Sequence, residues 1–160
     1  MLGLAVLAFS LLSSAFADGG AIPRAHAHAM GQCGGQNVSP PLRWSGVPER
    51  TRSFALTMVD SDAKVPGGWV HWVAFDIPGS ARALEAGKEP AGEAMTSFGS
   101  AGYGGPCPPV GDGPHHYHFT LFALDLPRLA LGADATIDEL RRKMHGHVLG
   151  TAALVGTYRR

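Results

Sequence analysis

Dense apolar patterning of strand length recurs at several places along the chain. Ser53–Asp60 is a compact apolar run that closes on polar residues and predicts a strand. Residues 69–76 are rich in aromatic and β-branched side chains and predict a second, closed by Pro78. Residues 116–124 alternate in part between apolar and polar positions and predict a third. Weaker patterns predict a first strand over 9–16, a turn at Asp18-Gly19-Gly20, and a closing strand over 152–158. Residues 39–44 read as extended, because each residue before Pro40 and Pro41 is pushed away from the helical region. Residues 22–36 read as irregular and residues 61–68 as a loop. One helix stands out. Thr136-Ile137-Asp138-Glu139 forms a Thr-x-x-Glu capping box ahead of residues 140–144, basic residues follow, and Gly150 is its expected end. Together these elements predict a mainly antiparallel β chain with one C-terminal helix.

Composition narrows the function classes. In 160 residues there are 13 Lys plus Arg and 13 Asp plus Glu, so the formal charge is zero. That balance offers no electrostatic footprint for nucleic acid and no means of binding acidic membranes by charge alone. A hydrophobic fraction of 45% is too high for a disordered chain, and the length suits one domain. The 22 glycines and 12 prolines suit short strands joined by irregular loops, above all over 79–114, where long connections in a compact domain tend to carry function. The first dozen residues are apolar, and Ala15-Phe16-Ala17 before Asp18 has the look of a leader cleavage site, although no Lys or Arg precedes the apolar run. No uninterrupted apolar stretch reaches the roughly 18 residues of a transmembrane helix.

Cys33 and Cys107 both sit among glycines and prolines, without the further ligands at short intervals that zinc requires. They are either two free thiols or one bridge between two loops, the latter implying an oxidising compartment. His71 stands in the second strand. A period of two places it with Trp69 and Val73 on one face and Val70, Trp72 and Ala74 on the other. Asp60 closes the preceding strand. A carboxylate there either makes a turn bond or orients an imidazole and fixes its tautomer. His116 and His118 share a strand face, but two histidines at i, i+2 without a matching carboxylate or cysteine set do not make a metal site. There is no Gly-x-Ser-x-Gly elbow, no phosphate-binding loop and no dinucleotide fingerprint, so no cofactor is called for. The expectation is that Asp60, His71 and residues 115–117 converge on one small polar pocket.

The ordered pieces Asn37-Val38-Ser39-Pro40-Pro41-Leu42-Arg43-Trp44, Ser53-Phe54-Ala55-Leu56-Thr57, Asp60-Ser61-Asp62-Ala63, Gly68-Trp69-Val70-His71-Trp72 and Gly113-Pro114-His115-His116-Tyr117 resemble the phosphatidylethanolamine-binding protein family. The likeness is to its bacterial, Raf kinase inhibitor-like branch, and it runs from about Phe9 to Tyr158. It implies an antiparallel two-sheet β-sandwich with a C-terminal helix over 9–160, after a short or truncated leader at 1–8. Position by position, Asp60 and Asp62 match the aspartates of the family's Asp-Pro-Asp-Ala-Pro segment. His71 matches its strand histidine, Trp69 an aromatic wall, His115 a second histidine, Tyr117 a tyrosine, and Pro108 the proline loop at the pocket mouth. Ser61 and Lys64 stand where that segment has prolines, and His116 stands where arginine is commoner.

The family pocket binds small anions and phosphorylated head groups. The resemblance therefore implies a non-enzymatic anion-binding module in which Asp60 positions His71. The alternatives are inhibition of a kinase or a protease through loops 79–113, and weak hydrolysis with His71 or His115 as general base. A second copy of the chain is a further partner to consider. The resemblance also implies a Cys33–Cys107 disulfide, and with it a periplasmic or secreted location rather than a cytoplasmic one.

Overall fold

The near-continuous apolar run of β3 (Ser53–Asp60) has a structural cause: its sheet is covered on both faces. In the computed structural model, which describes residues 7–160, β3 lies at the centre of a sheet ordered β6-β4-β3-β7-β8. The other members are β4 (Trp69–Pro78), β6 (Gly92–Glu93), β7 (His115–Leu124) and β8 (Val148–Tyr158). A smaller sheet, ordered β1-β2-β5, comprises β1 (Ser10–Leu12), β2 (Leu42–Ser45) and β5 (Ala83–Leu84). Every strand pairing within the two sheets is antiparallel. The fold is the expected two-sheet β-sandwich with a C-terminal helix.

The core between the sheets joins Leu11, Leu42 and Trp44 of the small sheet to Phe54, Leu56, Met58, Trp72, Phe119 and Leu121 of the large one. The opposite face of the large sheet, with Ala55, Val73 and Phe75, is closed by α1 (Ile137–Met144) through Leu140 and Met144. Burial of two such side chains contributes about 1.5–3 kcal/mol each. The capping box forms as the sequence predicts. The Glu139 N–H donates to Thr136 Oγ1 at 3.3 Å, and the Thr136 N–H donates to Glu139 Oε2 at 2.7 Å.

The helix ends earlier than expected. Gly146, at φ +81°, takes the turn after Met144, and Gly150 lies inside β8 opposite Ala123. The strand expected over 9–16 shrinks to Ser10–Leu12, and beyond it the Ser13 hydroxyl donates to Pro41 O just ahead of β2. Phe16 nevertheless returns to the core against Phe119. Most of the leader expected at 1–8 lies outside the described residues.

Antiparallel order decides where a site can form. The last residue of β3 and the first residues of β4 and β7 meet at one end of the large sheet: Asp60 is paired with Trp69 on one side and Tyr117 on the other.

Candidate functional site

That end of the sheet opens into a cavity of about 340 Å³. Its polar side chains are Asp60, Lys64, His71, Asp112, His115 and Tyr117, and its apolar wall includes Trp69, Phe98, Pro108 and Pro109. The alternation of β7 points His115 and Tyr117 inward and leaves His116 and His118 exposed. The outward pair is engaged elsewhere: His116 Nδ1 lies 2.7 Å from Asp62 Oδ2, and His118 Nε2 lies 2.9 Å from Ser61 Oγ.

His71 reaches the cavity through a break in the pleat. Met58 pairs with Trp72 and Val59 with Val70, so His71 is the extra residue of a β-bulge. The bulge puts His71 edge-on to Tyr117 and Phe98, with ring centroids 5.1 and 5.3 Å away. Val73, expected on the same face, packs instead with the helix-side core. The His71 Nδ1–H donates to Gly104 O at 2.6 Å. Burial of this 4% exposed side chain pushes its pKa down to about 4. At neutral pH His71 is therefore uncharged, with Nε2 left as an acceptor.

The carboxylate of Asp60 does not hold His71. Oδ1 accepts the N–H groups of Asp62 and Ala63 at 2.9 and 3.2 Å, which is the turn bond, and Oδ2 accepts the His115 Nδ1–H at 2.7 Å. Asp60 thus fixes the second histidine rather than the first. The other nitrogen of that ring, Nε2, lies 3.1 Å from Asp112 Oδ2. Burial draws the His115 pKa down, but the hydrogen bonds to Asp60 and Asp112 outweigh it and the net shift is upward. Both ring nitrogens lie against carboxylate oxygens, an arrangement that favours the protonated ring, in which both act as donors. Tyr117 is fully buried, and its hydroxyl has no hydrogen-bond partner among the described residues. Burial, reinforced by the Asp60 charge, pushes its pKa up.

Of the residues matched by resemblance, Asp60, Trp69, His71, Pro108, His115 and Tyr117 line one cavity. Asp62 does not. Its carboxylate faces outward and accepts the His116 N–H at 2.7 Å, because Ser61 and Asp62 turn away at the end of β3. Phe98, Asp112 and Asn37 were given no role by the sequence reading. Phe98 packs edge-on against both Trp69 and His71. Asn37 donates to Tyr103 O at 2.9 Å and accepts the Gly105 N–H at 2.8 Å, so it holds the segment whose Gly104 carbonyl orients His71. Its signal was the Asn-Val-Ser-Pro-Pro motif, which carried no assigned role. The connection 79–113 is divided between wall and surface: Ala94, Thr96, Gly104, Gly105, Pro106 and Pro108 are buried, whereas residues 85–89, 99–101 and 109–111 are exposed.

Cys33 and Cys107 form a disulfide with Cα atoms 5.3 Å apart, and Cys107 itself lines the cavity. Arg160 reinforces the same junction, donating to Pro108 O at 2.7 Å and to Gln32 O at 3.1 Å. No described helix is long and apolar enough to cross a membrane.

Residues 12–159 match the family model described as phosphatidylethanolamine-binding protein, and the chain belongs to that family. Among its relatives, a UPF0098 protein of Aquifex aeolicus is 38% identical over 176 residues, covering 100% of this chain and 99% of its own. Another UPF0098 protein, from Methanothermobacter thermautotrophicus, is 44% identical over 160 residues, covering 94% and 99%. The crystal structure of Escherichia coli YbcL, described as a new member of the mammalian PEBP family, superposes with a TM-score of 0.89 at 34% identity and covers 95% of this chain and 98% of that one.

Proposed function

We propose that the cavity captures a small anion, a phosphate or a phosphorylated head group, and releases it unchanged. The observation that carries this reading is Tyr117, which lines the cavity and whose buried hydroxyl is unpartnered among the described residues. A buried hydroxyl without an acceptor costs about 1–3 kcal/mol. A bound oxyanion supplies the acceptor, His115 Nε2 a donor, and the rim cation of Lys64 charge. His71 Nε2 accepts a hydrogen bond, which suits a phosphoryl group that retains one proton.

Capture fits the lining better than turnover does. Neutral His71 is a plausible base, yet no serine or threonine lines the cavity beside it and the sulfur of Cys107 is held in the disulfide. The disulfide also supports a periplasmic or secreted location. Titration with phosphate and with phosphoethanolamine, followed by histidine-ring NMR, tests the reading. Shifts at His71 and His115 are expected at millimolar ligand, with affinity reduced about tenfold in Tyr117→Phe, the loss of one hydrogen bond to a charged group. Absence of shifts at both histidines overturns it.

A further inference from the structure

The cavity already contains an anion of its own. Asp112 sits at Gly111-Asp112-Gly113, a turn in which Gly111 adopts φ +90° and a side chain at either glycine would meet open space. Its side chain is 30% exposed, and its one polar partner among the described residues is His115 Nε2. Nδ1 of the same ring is committed to Asp60 from the inner side. Nε2 is therefore the only donor that His115 can offer a ligand, and Asp112 occupies it. Asp60 is anchored by three hydrogen bonds and 4% exposed, whereas the Asp112 side chain is 30% exposed and held by one.

We infer that Asp112 is a built-in competitor, a carboxylate that any ligand anion must displace from His115 Nε2 before it binds. This rests on the anion-capture reading above. Binding is then an exchange of one anion for another, and the exchange selects by chemistry. A monocarboxylate replaces like with like and gains nothing to offset its lost translational freedom. A phosphoryl group brings further oxygens for the Tyr117 hydroxyl and a P–OH for His71 Nε2, so it wins the exchange. Asp112 thus sets both the ceiling on affinity and the preference for phosphoryl over carboxyl groups.

The test uses Asp112→Asn, which keeps the size of the side chain and removes its charge, with Asp112→Ser as a second variant and thermal melting as the control for folding. Phosphate and acetate are titrated separately into each protein, with histidine-ring NMR as the readout. Expected are phosphate binding about tenfold tighter than wild type, or 1.4 kcal/mol, and acetate binding in the variants at concentrations where wild type shows none. Without ligand, the His115 pKa should fall in both variants, since one of its two carboxylate partners is gone. Wild type that binds phosphate alongside variants that bind it equally or more weakly overturns the competitor role and leaves anion capture standing. Failure of all three proteins to bind phosphate overturns both.

Discussion

His71 makes this protein acid-sensitive in a defined window. The imidazole is 4% exposed and its pKa is lowered from 6.5 to about 4, first by burial, with the Gly104 hydrogen bond and the Asp60 charge opposing. Between those values the unfolded chain holds a proton on this ring and the native protein does not. Unfolding then takes up a proton, so stability falls as pH falls. Each pH unit inside the window costs up to about 1.4 kcal/mol, and the window from 6.5 to about 4 sums to about 3 kcal/mol. His115 has the opposite sign. Its native pKa is raised, so its contribution is complete below the unfolded value and is lost as pH rises through the native one. The two histidines therefore act on opposite sides of pH 6.5 and can be separated. The assay is urea unfolding followed by tryptophan fluorescence at several pH values, on wild type and on His71→Asn. Asparagine retains an amide donor for Gly104 O and does not titrate. The wild-type curve should drop about 3 kcal/mol further than the variant's between pH 6.5 and 4, whatever the variant's stability at pH 7. Parallel curves would show that His71 takes up its proton freely in the native state and that the buried-base argument is wrong.

Two further outcomes follow from the cavity walls. Reducing the Cys33–Cys107 bond, or replacing both cysteines by serine, frees a crosslink of 74 residues in sequence. Chain-entropy arguments put the lost stability at about 4 kcal/mol, measurable by denaturant titration with and without reductant, and phosphate affinity should fall with it because Cys107 and Pro108 line the cavity; a loss under about 1 kcal/mol would contradict this. Gly104→Ala places a methyl against the ring of Phe98. Overpacking of about 1–3 kcal/mol is expected in thermal melts, together with a displaced His71 ring resonance, and an unshifted His71 signal would show that the Gly104 carbonyl does not position the imidazole.

The strands that build the site were legible because each is a compact apolar run, whereas His116, expected in the pocket with residues 115 and 117, is turned outward with His118 by the alternation of β7. What escaped depends on register rather than composition. The two-residue strands β5 and β6 carry no periodic signal. The face of His71 was right relative to Trp69 and wrong relative to Val73, since a period-two argument assumes a regular pleat and the bulge lies between them. The carboxylate of Asp60 was correctly placed in the pocket but given the wrong histidine. Asp60 pairs directly with Tyr117, and His115 lies two residues along on the same face of β7, while the bulge hands His71 to a loop carbonyl. Asp112 and Phe98 sit in connections without periodicity, where only the folded chain shows which side chains turn inward. The cysteine pairing came from the family likeness, because two cysteines in glycine-rich loops do not by themselves specify a bond.

The cost of the site is concentrated where the rest of the sheet has none. Tyr117 belongs to the same apolar core between the two sheets as Met58 and Phe119, and a phenylalanine at position 117 would suit that core as well. Instead the chain buries a hydroxyl with no acceptor among the described residues, an uncharged imidazole whose Nε2 has no donor among them, and a second imidazole held between two carboxylates. The other buried group left unpartnered among the described residues is Trp44 Nε1, on a strand of the small sheet and not part of the cavity lining. Stability alone gives no reason to gather unsatisfied and strongly polarised groups at one end of an apolar sheet. A ligand that brings acceptor oxygens and one proton satisfies the hydroxyl and the imidazole together, and releases Asp112 to water. The same groups that weaken the empty fold are those that make the exchange for a phosphoryl anion favourable.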